Sequence, residues 1–243
     1  MKKSMLMLIL LFLTLVTLTG CLYPKDELAK NKVPNDEQLE MVQTAVLQYM
    51  DETDGLLPIK TKENDVDEYE KYLIDFNMLK EHQLISESPG TAYENGGVYQ
   101  YGIVTPEEDP RVKLIDLRVT EALRSVNVKL NTYRNKHTYP PYGEEVADGL
   151  YEVNYDKLGM KEAPKVISPY SQNPLRLIMN SDGDLYVDYS SDLQQAVEEY
   201  DHDFEEGDDI RSILVDHYPF MPAYSLPYTI KNDNEVEFLE TSN

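Results

Sequence analysis

The chain has 243 residues, with 45 Asp and Glu against 22 Lys and Arg, a formal net charge of −23 and one cysteine. A chain this acidic lacks the positive surface that phosphate contacts need, which argues against nucleic acid as a partner, and a lone cysteine forms no internal disulfide. The length suits one large domain or two small ones with real cores.

The first residues are Met1, Lys2 and Lys3, followed by an apolar run from Met5 to Leu18 broken only by Thr14 and Thr17. A short positive region followed by a hydrophobic one is the pattern of a secretory signal. The run is about 14 positions long, short of the ~20 that a stable membrane span needs. It ends in Leu18-Thr19-Gly20-Cys21, which resembles the lipobox of bacterial lipoprotein precursors. The resemblance implies cleavage before Cys21 and a diacylglyceryl group on its sulfur. Small side chains at 19 and 20 let a peptidase close on the backbone, and a thiolate is the available nucleophile. The alternatives are an ordinary cleaved signal with a free thiol, or an uncleaved anchor. The expected layout is a lipoprotein signal peptide over 1–20 and a lipidated tether over 21–35, rich in charge and proline. Loss of Lys2 and Lys3 leaves 20 basic residues against 45 acidic, a chain about 25 negative. Anionic headgroups repel such a chain, so the lipid must anchor it, on the extracytoplasmic face of the cell membrane.

Beyond Asn35, Leu39, Val42, Val46 and Tyr49 recur at helical spacing, with Asn35 and Gln38 placed for an N-cap and capping box. Leu123, Val126, Leu130 and Tyr133 repeat that spacing 84 residues later. Each predicted helix runs into a proline turn, "GLLPI" or "TYPPY". A short apolar segment follows, "YLIDFNML" (72–79) or "YEVNYDKL" (151–158). "LISESP" (84–89) then matches "VISPYS" (166–171) in type. Each half ends in a predicted hairpin, "TAYENGGVYQYGIV" or "LRLIMNSDGDLYVDY", whose Asn95-Gly96 or Asp182-Gly183 supplies positive φ. The fold class expected is α+β. It would be internally duplicated, each unit a helix, a proline turn, a short strand and an antiparallel β-hairpin, over 36–115 and 116–190. A C-terminal helical and hairpin extension occupies 191–243, with helices at 192–200 and 208–218 and a hairpin in "YTIKNDNEVEFL" turning at Asn232-Asp233-Asn234.

Catalytic and metal motifs are not recognisable. There is no G-x-S-x-G, H-E-x-x-H, Walker loop or G-x-G-x-x-G. Asn180, Asp182, Asp184 and Asp188 fall at calcium-loop positions, but Leu185 and Ser191 stand where such a loop needs Gly and Glu. The acidic stretch from Asp201-His202-Asp203 to Asp209 reads as a loop and the first turn of a helix. No catalytic residue, cofactor or metal is expected, and the chain reads as non-enzymatic. The sequence holds 19 tyrosines and no tryptophan. Its Pro-aromatic segments offer a binding surface at Tyr139, Tyr142, Tyr170, Tyr224 and Tyr228, or else are plain connectors between packed elements.

"GCLYP", "LLPIKTK", "KYLIDFNML", "GGVYQYGIV", "DPRVKLIDLR" and "VDYSSDL" together resemble the YphF-type small lipoproteins of Bacillus-like Gram-positive bacteria. The resemblance runs over most of the mature chain and carries over Cys21 alone, as the lipid-attachment site. Some members are described as extracytoplasmic binding proteins of ABC transporters. Two functions are therefore expected: an envelope or protein-interaction module of unknown molecular role, or a solute-binding lipoprotein. The partners are the membrane, through the lipid, and an envelope protein or a transporter. Solute-binding lipoproteins usually alternate strand and helix in two α/β lobes, which this sequence does not.

Overall fold

The computed structural model describes residues 36–239 except 61, 63–65, 232 and 233. The signal peptide, the tether, Cys21 and the Asn35 cap lie outside the described residues. Helix α1 (Asp36–Glu52) buries Val42, Ala45, Val46 and Tyr49, one helical face repeating at i, i+3, i+4 and i+7. Two short helices follow, α2 (Glu68–Lys71) and α3 (Phe76–Glu81). The carboxylates of Asp67 and Asp75 accept the amides of Tyr69 and Asn77 and so start them.

The expected hairpin about Asn95-Gly96 is corrected. Tyr93–Asn95 form a single 3-10 turn, which Gly96 ends at φ +81°. The Asn-Gly pair does supply positive φ, but to stop this turn. Gly97 is fixed by crowding: a Cβ there would stand 2.0 Å from the Thr91 carbonyl oxygen. The hairpin lies one step later, β1 (Tyr99–Val104) with β2 (Arg111–Asp116), Tyr99 opposite Asp116 and Val104 opposite Arg111. Extended chain at 72–74 takes the next edge of β1, with Ile74 N–H on Tyr101 O and Ile103 N–H on Tyr72 O, both 2.9 Å. The side chain of Gln43 sews α1 to the start of β2, donating to Pro110 O (2.8 Å) and accepting from Val112 N–H (2.7 Å).

Strand β2 passes directly into helix α4 (Leu117–Arg134) at Asp116, whose carboxylate accepts the Arg118 amide at 2.9 Å. The buried face of α4 is Val119, Ala122, Leu123, Val126 and Leu130. It packs over a second layer of strands: β3 (Tyr142–Ala147), β4 (Leu150–Val153), a small ladder of β5 (Val166–Ile167) and β6 (Pro174–Leu175), then β7 (Leu177–Asn180) and β8 (Leu185–Val187). The main sheet is antiparallel in the order β3-β4-β7-β8. Its β7–β8 turn is the predicted one, with Gly183 at φ +85° and Asn180 Oδ1 accepting the amides of Asp182 and Asp184. Helices α5 (Ser190–Glu199) and α6 (Ser212–His217) and the hairpin of β9 (Tyr228–Ile230) with β10 (Val236–Phe238) complete the lobe. The class is α+β, as expected. Residues 36–115 hold three helices and one hairpin, whereas 116–190 hold a helix, a four-stranded sheet and a small ladder. The repeated order expected from the sequence is not reproduced. Among the described residues no helix is long and apolar enough to cross a membrane.

The apolar residues gather in two cores, one from α1 to β2 and one from α4 to β10. Residues 218–228 run between them as a strap. Its backbone adds to the free edge of β2, with Leu114 N–H on Pro219 O (2.9 Å) and Met221 N–H on Leu114 O (2.8 Å). Phe220 enters the first core, Tyr228 the second, and Met221 and Ala223 fill a third cluster between them with Tyr69, Leu73, Val104, Ile115 and Val215. Lys113 Nζ donates to Tyr218 O (2.8 Å), and burial, with help from Arg111, pushes this lysine down to about 8.

Beneath the strap lies Arg211, with a side chain only 4% exposed. It grips Asp209 through Nε and Nη2 (2.8–3.1 Å), reaches Asp67 of the first lobe at 3.0 Å and Ser225 of the strap at 3.3 Å, and stacks over the Tyr69 ring at 4.8 Å. Burial alone would lower its pKa. The Asp209 hydrogen bonds and the Asp209 and Asp67 charges outweigh that and hold the guanidinium charged. Asp192 in the first turn of α5 is the opposite case: it is 3% exposed and, among the described residues, no basic side chain pairs with it. Burial raises its pKa, against the pull of the nearby Ser171 and Ser168.

Two outcomes are expected. Arg211→Met should cost about 3 kcal/mol of unfolding free energy, because it strands two carboxylates in a partly buried seam. The low end of that range applies because Asp67 and Asp209 keep 31% and 28% exposure. Urea unfolding followed by tyrosine fluorescence measures it; a loss under about 0.5 kcal/mol would mean the pairs are screened by solvent. A carboxyl whose folded pKa lies above its unfolded value of about 3.9 destabilises the fold at every pH above that value. Asp192→Asn should therefore raise Tm at pH 7 by about 3 °C, the gain shrinking as pH falls towards 4. A gain that is the same at both pH values would show that the carboxylate charge is not its cause.

Candidate binding groove

The last turns of α4 and the turn at 155–160 face each other across an open groove of about 390 Å³, a volume within the range of small-ligand sites. Lys129 and Thr132 lie on one helix face, and Lys136 follows in the turn just beyond the Asn135 cap, its amide on Tyr133 O at 2.9 Å. Tyr133 and His137, four apart, stack with ring centroids 4.1 Å apart and planes 21° from parallel. Opposite them, Leu158 is buried in the second core and fixes the turn, while Gly159 at φ +67° lets it close. The Lys157 amide donates to Asn154 Oδ1 (3.1 Å) and its ammonium to the Tyr142 carbonyl (3.2 Å), which holds this lysine at the rim. Tyr155 in the same turn is pushed up to about 12 by burial and by Glu152, so it stays neutral.

The groove gathers basic residues in an acidic chain. Lys129, Lys136 and Lys157 line it and no carboxylate does. Several basic groups elsewhere are met by acids, among them Lys60 by Glu94 (2.7 Å), Arg111 by Asp216 (2.8 Å) and Arg176 by Asp188 (2.6 Å). Among the described residues the three groove lysines form no ion pair. With 45 acids to 22 bases in the chain, three lysines gathered without a carboxylate mark the surface as positive in a negative body. Helix α4 carries Arg118, Arg124, Lys129 and Arg134 against the single acid Glu121.

The predicted tyrosines are divided by the fold. Tyr139 is 75% exposed, two residues beyond His137. Tyr142 is half-buried at the groove's margin, its ring tilted 46° against Tyr151 at 4.6 Å and its hydroxyl donating to Ser181 O at 2.6 Å. The other three are not outward-facing. Tyr228 is fully buried, and its hydroxyl meets Asp188 at 3.2 Å and the Tyr189 amide at 2.9 Å. The Tyr170 hydroxyl is enclosed without a partner, its ring edge-on to Tyr189, Tyr218 and Phe220. Tyr224 sits in the strap at φ +60°, its amide donating to Glu70 at 3.0 Å. Prolines there hold a strap that fills a seam, because apolar and aromatic side chains on both flanks have cores to enter.

At the seam lies a slot of about 50 Å³, bordered by Glu68, Tyr72, Arg111 and Val215. Burial raises the Glu68 carboxyl, and Arg111 Nε is enclosed without a partner. That volume holds about one or two waters. The calcium-loop residues also separate: Asp188 turns inward to Arg176 and Tyr228, whereas Asn180 and Asp184 form the exposed turn. Among the described residues no three His, Cys, Asp or Glu side chains stand close enough to hold a metal.

The groove lysines were not singled out by sequence reasoning. The signal present was an excess of Lys and Arg over 117–143 in an acidic chain.

No curated protein and no solved structure matches the chain. A family model described as YphF family N-terminal domain matches residues 35–116, which are the first lobe, ending at the Asp116 that caps α4. Over those residues, about a third of the chain, the protein is similar to the YphF family N-terminal domain, which supports the YphF-type resemblance for its first lobe.

Proposed function

We propose that the protein is a non-enzymatic, membrane-anchored interaction module on the extracytoplasmic face, held by a lipid on Cys21 and presenting the α4 groove to its partner. The observation that carries the binding part is a groove of about 390 Å³ with three unpaired lysines and no acid in its lining. Unpaired like charges gathered on a surface cost stability, and a partner of opposite charge removes that cost. The anchoring part rests on the sequence from Met1 to Cys21 and on charge: a body about 25 negative is repelled by anionic headgroups, so two acyl chains must hold it.

A solute-binding lipoprotein would close two lobes on a ligand in a hinged cleft. The seam between these lobes is instead occupied by the strap, by Arg211 with Asp67 and Asp209, and by the apolar cluster around Met221. That filling favours the interaction module. Two readouts test the proposal together. Cys21→Ser should remain as an uncleaved precursor or leave the membrane fraction; normal processing with retention in the membrane contradicts the anchor. Uncharged sugars and zwitterionic amino acids should leave the thermal unfolding of the full chain unchanged, and a saturable rise in Tm with one of them restores solute binding.

A further inference from the structure

Every aliphatic cation lining the groove is a lysine, and none is an arginine. A guanidinium fork matches a planar carboxylate with two parallel bonds, whereas an ammonium is a point charge that serves any oxygen of a compact anion. Three ammonium groups brought from two elements suit a tetrahedral anion with several equivalent oxygens. The Thr132 hydroxyl donates its proton to the Val128 carbonyl at 2.9 Å, so the lysines carry the donors left for a ligand. Lys157 spends one donor on the Tyr142 carbonyl and keeps two. The stacked Tyr133–His137 pair offers a flat face, and Val128, 62% exposed, offers an apolar lip.

Charge sets the size of the ligand. At physiological salt an acid more than about 8 Å away is largely screened, so a small anion inside the groove responds to the lysines rather than to the net −23 of the chain. A long polyanion would lie along the acidic surface as well and be repelled. The carbonyl end of α4 opposes an anion with about half an elementary charge, which three ammonium groups outweigh.

We propose that the groove binds a small phosphate-bearing compound, its phosphate oxygens on Lys129, Lys136 and Lys157 and its neutral remainder against Tyr133 and Val128. This rests on the groove being the binding face. A free phosphate ester and a phospholipid headgroup share the recognised chemistry. The test titrates the full chain in neutral detergent with glycerol 3-phosphate, with glycerophosphoglycerol as a headgroup without acyl chains, and with acetate, all at ionic strength matched with chloride. Binding is read by calorimetry and by Tm. At least one of the two phosphates should give a saturable response that acetate does not. The response should weaken about tenfold or more in Lys129→Gln/Lys136→Gln/Lys157→Gln, weaken severalfold in each single variant, and persist in Lys80→Gln. The single variants keep the test open if the triple variant folds poorly. A response to the monoester alone assigns a soluble ester, and one to the diester alone assigns a headgroup. Acetate binding as well as phosphate, lost with the lysines, overturns the ligand class and leaves the groove as the binding face. A wild-type response in the lysine variants, or no response to any of the anions, overturns the proposal and removes the groove's support for the interaction module too.

Discussion

The structure turns on one buried guanidinium. Arg211 is where the two lobes and the strap meet: Asp67 and Tyr69 come from the first lobe, Asp209 from the second, and Ser225 from the strap. Isolated burial of such a cation would be prohibitive. Two carboxylates and a serine engage its donors and a tyrosine face covers its plane, which makes burial tolerable and geometry-specific. Asp67 also caps α2, so the charge that holds the lobes together starts the helix carrying Tyr69 and Glu70. Glu70 in turn receives the Tyr224 amide. Local helix capping and long-range assembly thus depend on the same few atoms.

The strap makes the first lobe incomplete by itself. Strand β2 would leave an open edge, and an open edge is a template for unwanted pairing. Residues 219–221 cover it at Leu114 from more than 100 positions away in the sequence. The end of the family match at 116 is therefore a boundary of helix capping and chain direction, not of packing. With the seam filled, free binding surface must lie elsewhere, and the three unpaired lysines of α4 and the 155–160 turn are where charge gathers unopposed.

How much of this the sequence shows differs by the range of the interaction. Helices α1 and α4 are legible because their buried faces repeat within one segment. The turn at Asp182-Gly183 and the pairing of β9 with β10 are legible because a hairpin is local. The first hairpin misleads because Asn95-Gly96 marks positive φ without saying whether a strand or a 3-10 turn uses it. Tyr224 and Tyr228 mislead for a similar reason: proline and tyrosine together look alike in an exposed loop and in a strap, and only the strap's pairing with Leu114 decides; Tyr170, in the turn between β5 and β6, is turned in by aromatic neighbours distant in sequence. The groove is half legible. Lys129 and Lys136 are local to the end of one helix, but Lys157 arrives from a turn 21 positions further on. Only the tertiary fold brings it in.

The central claim is that the strap and Arg211 join both lobes into one cooperative unit whose seam does not open to bind. Native-state hydrogen exchange of the full chain tests it most directly. The Leu114 and Met221 amides, which carry the strap's pairing, should exchange as slowly as the Ile178 amide in the centre of the second sheet, at the free energy of global unfolding. Fast exchange at Leu114 and Met221 beside a protected Ile178 would show a strap that lifts off on its own, and would contradict the account.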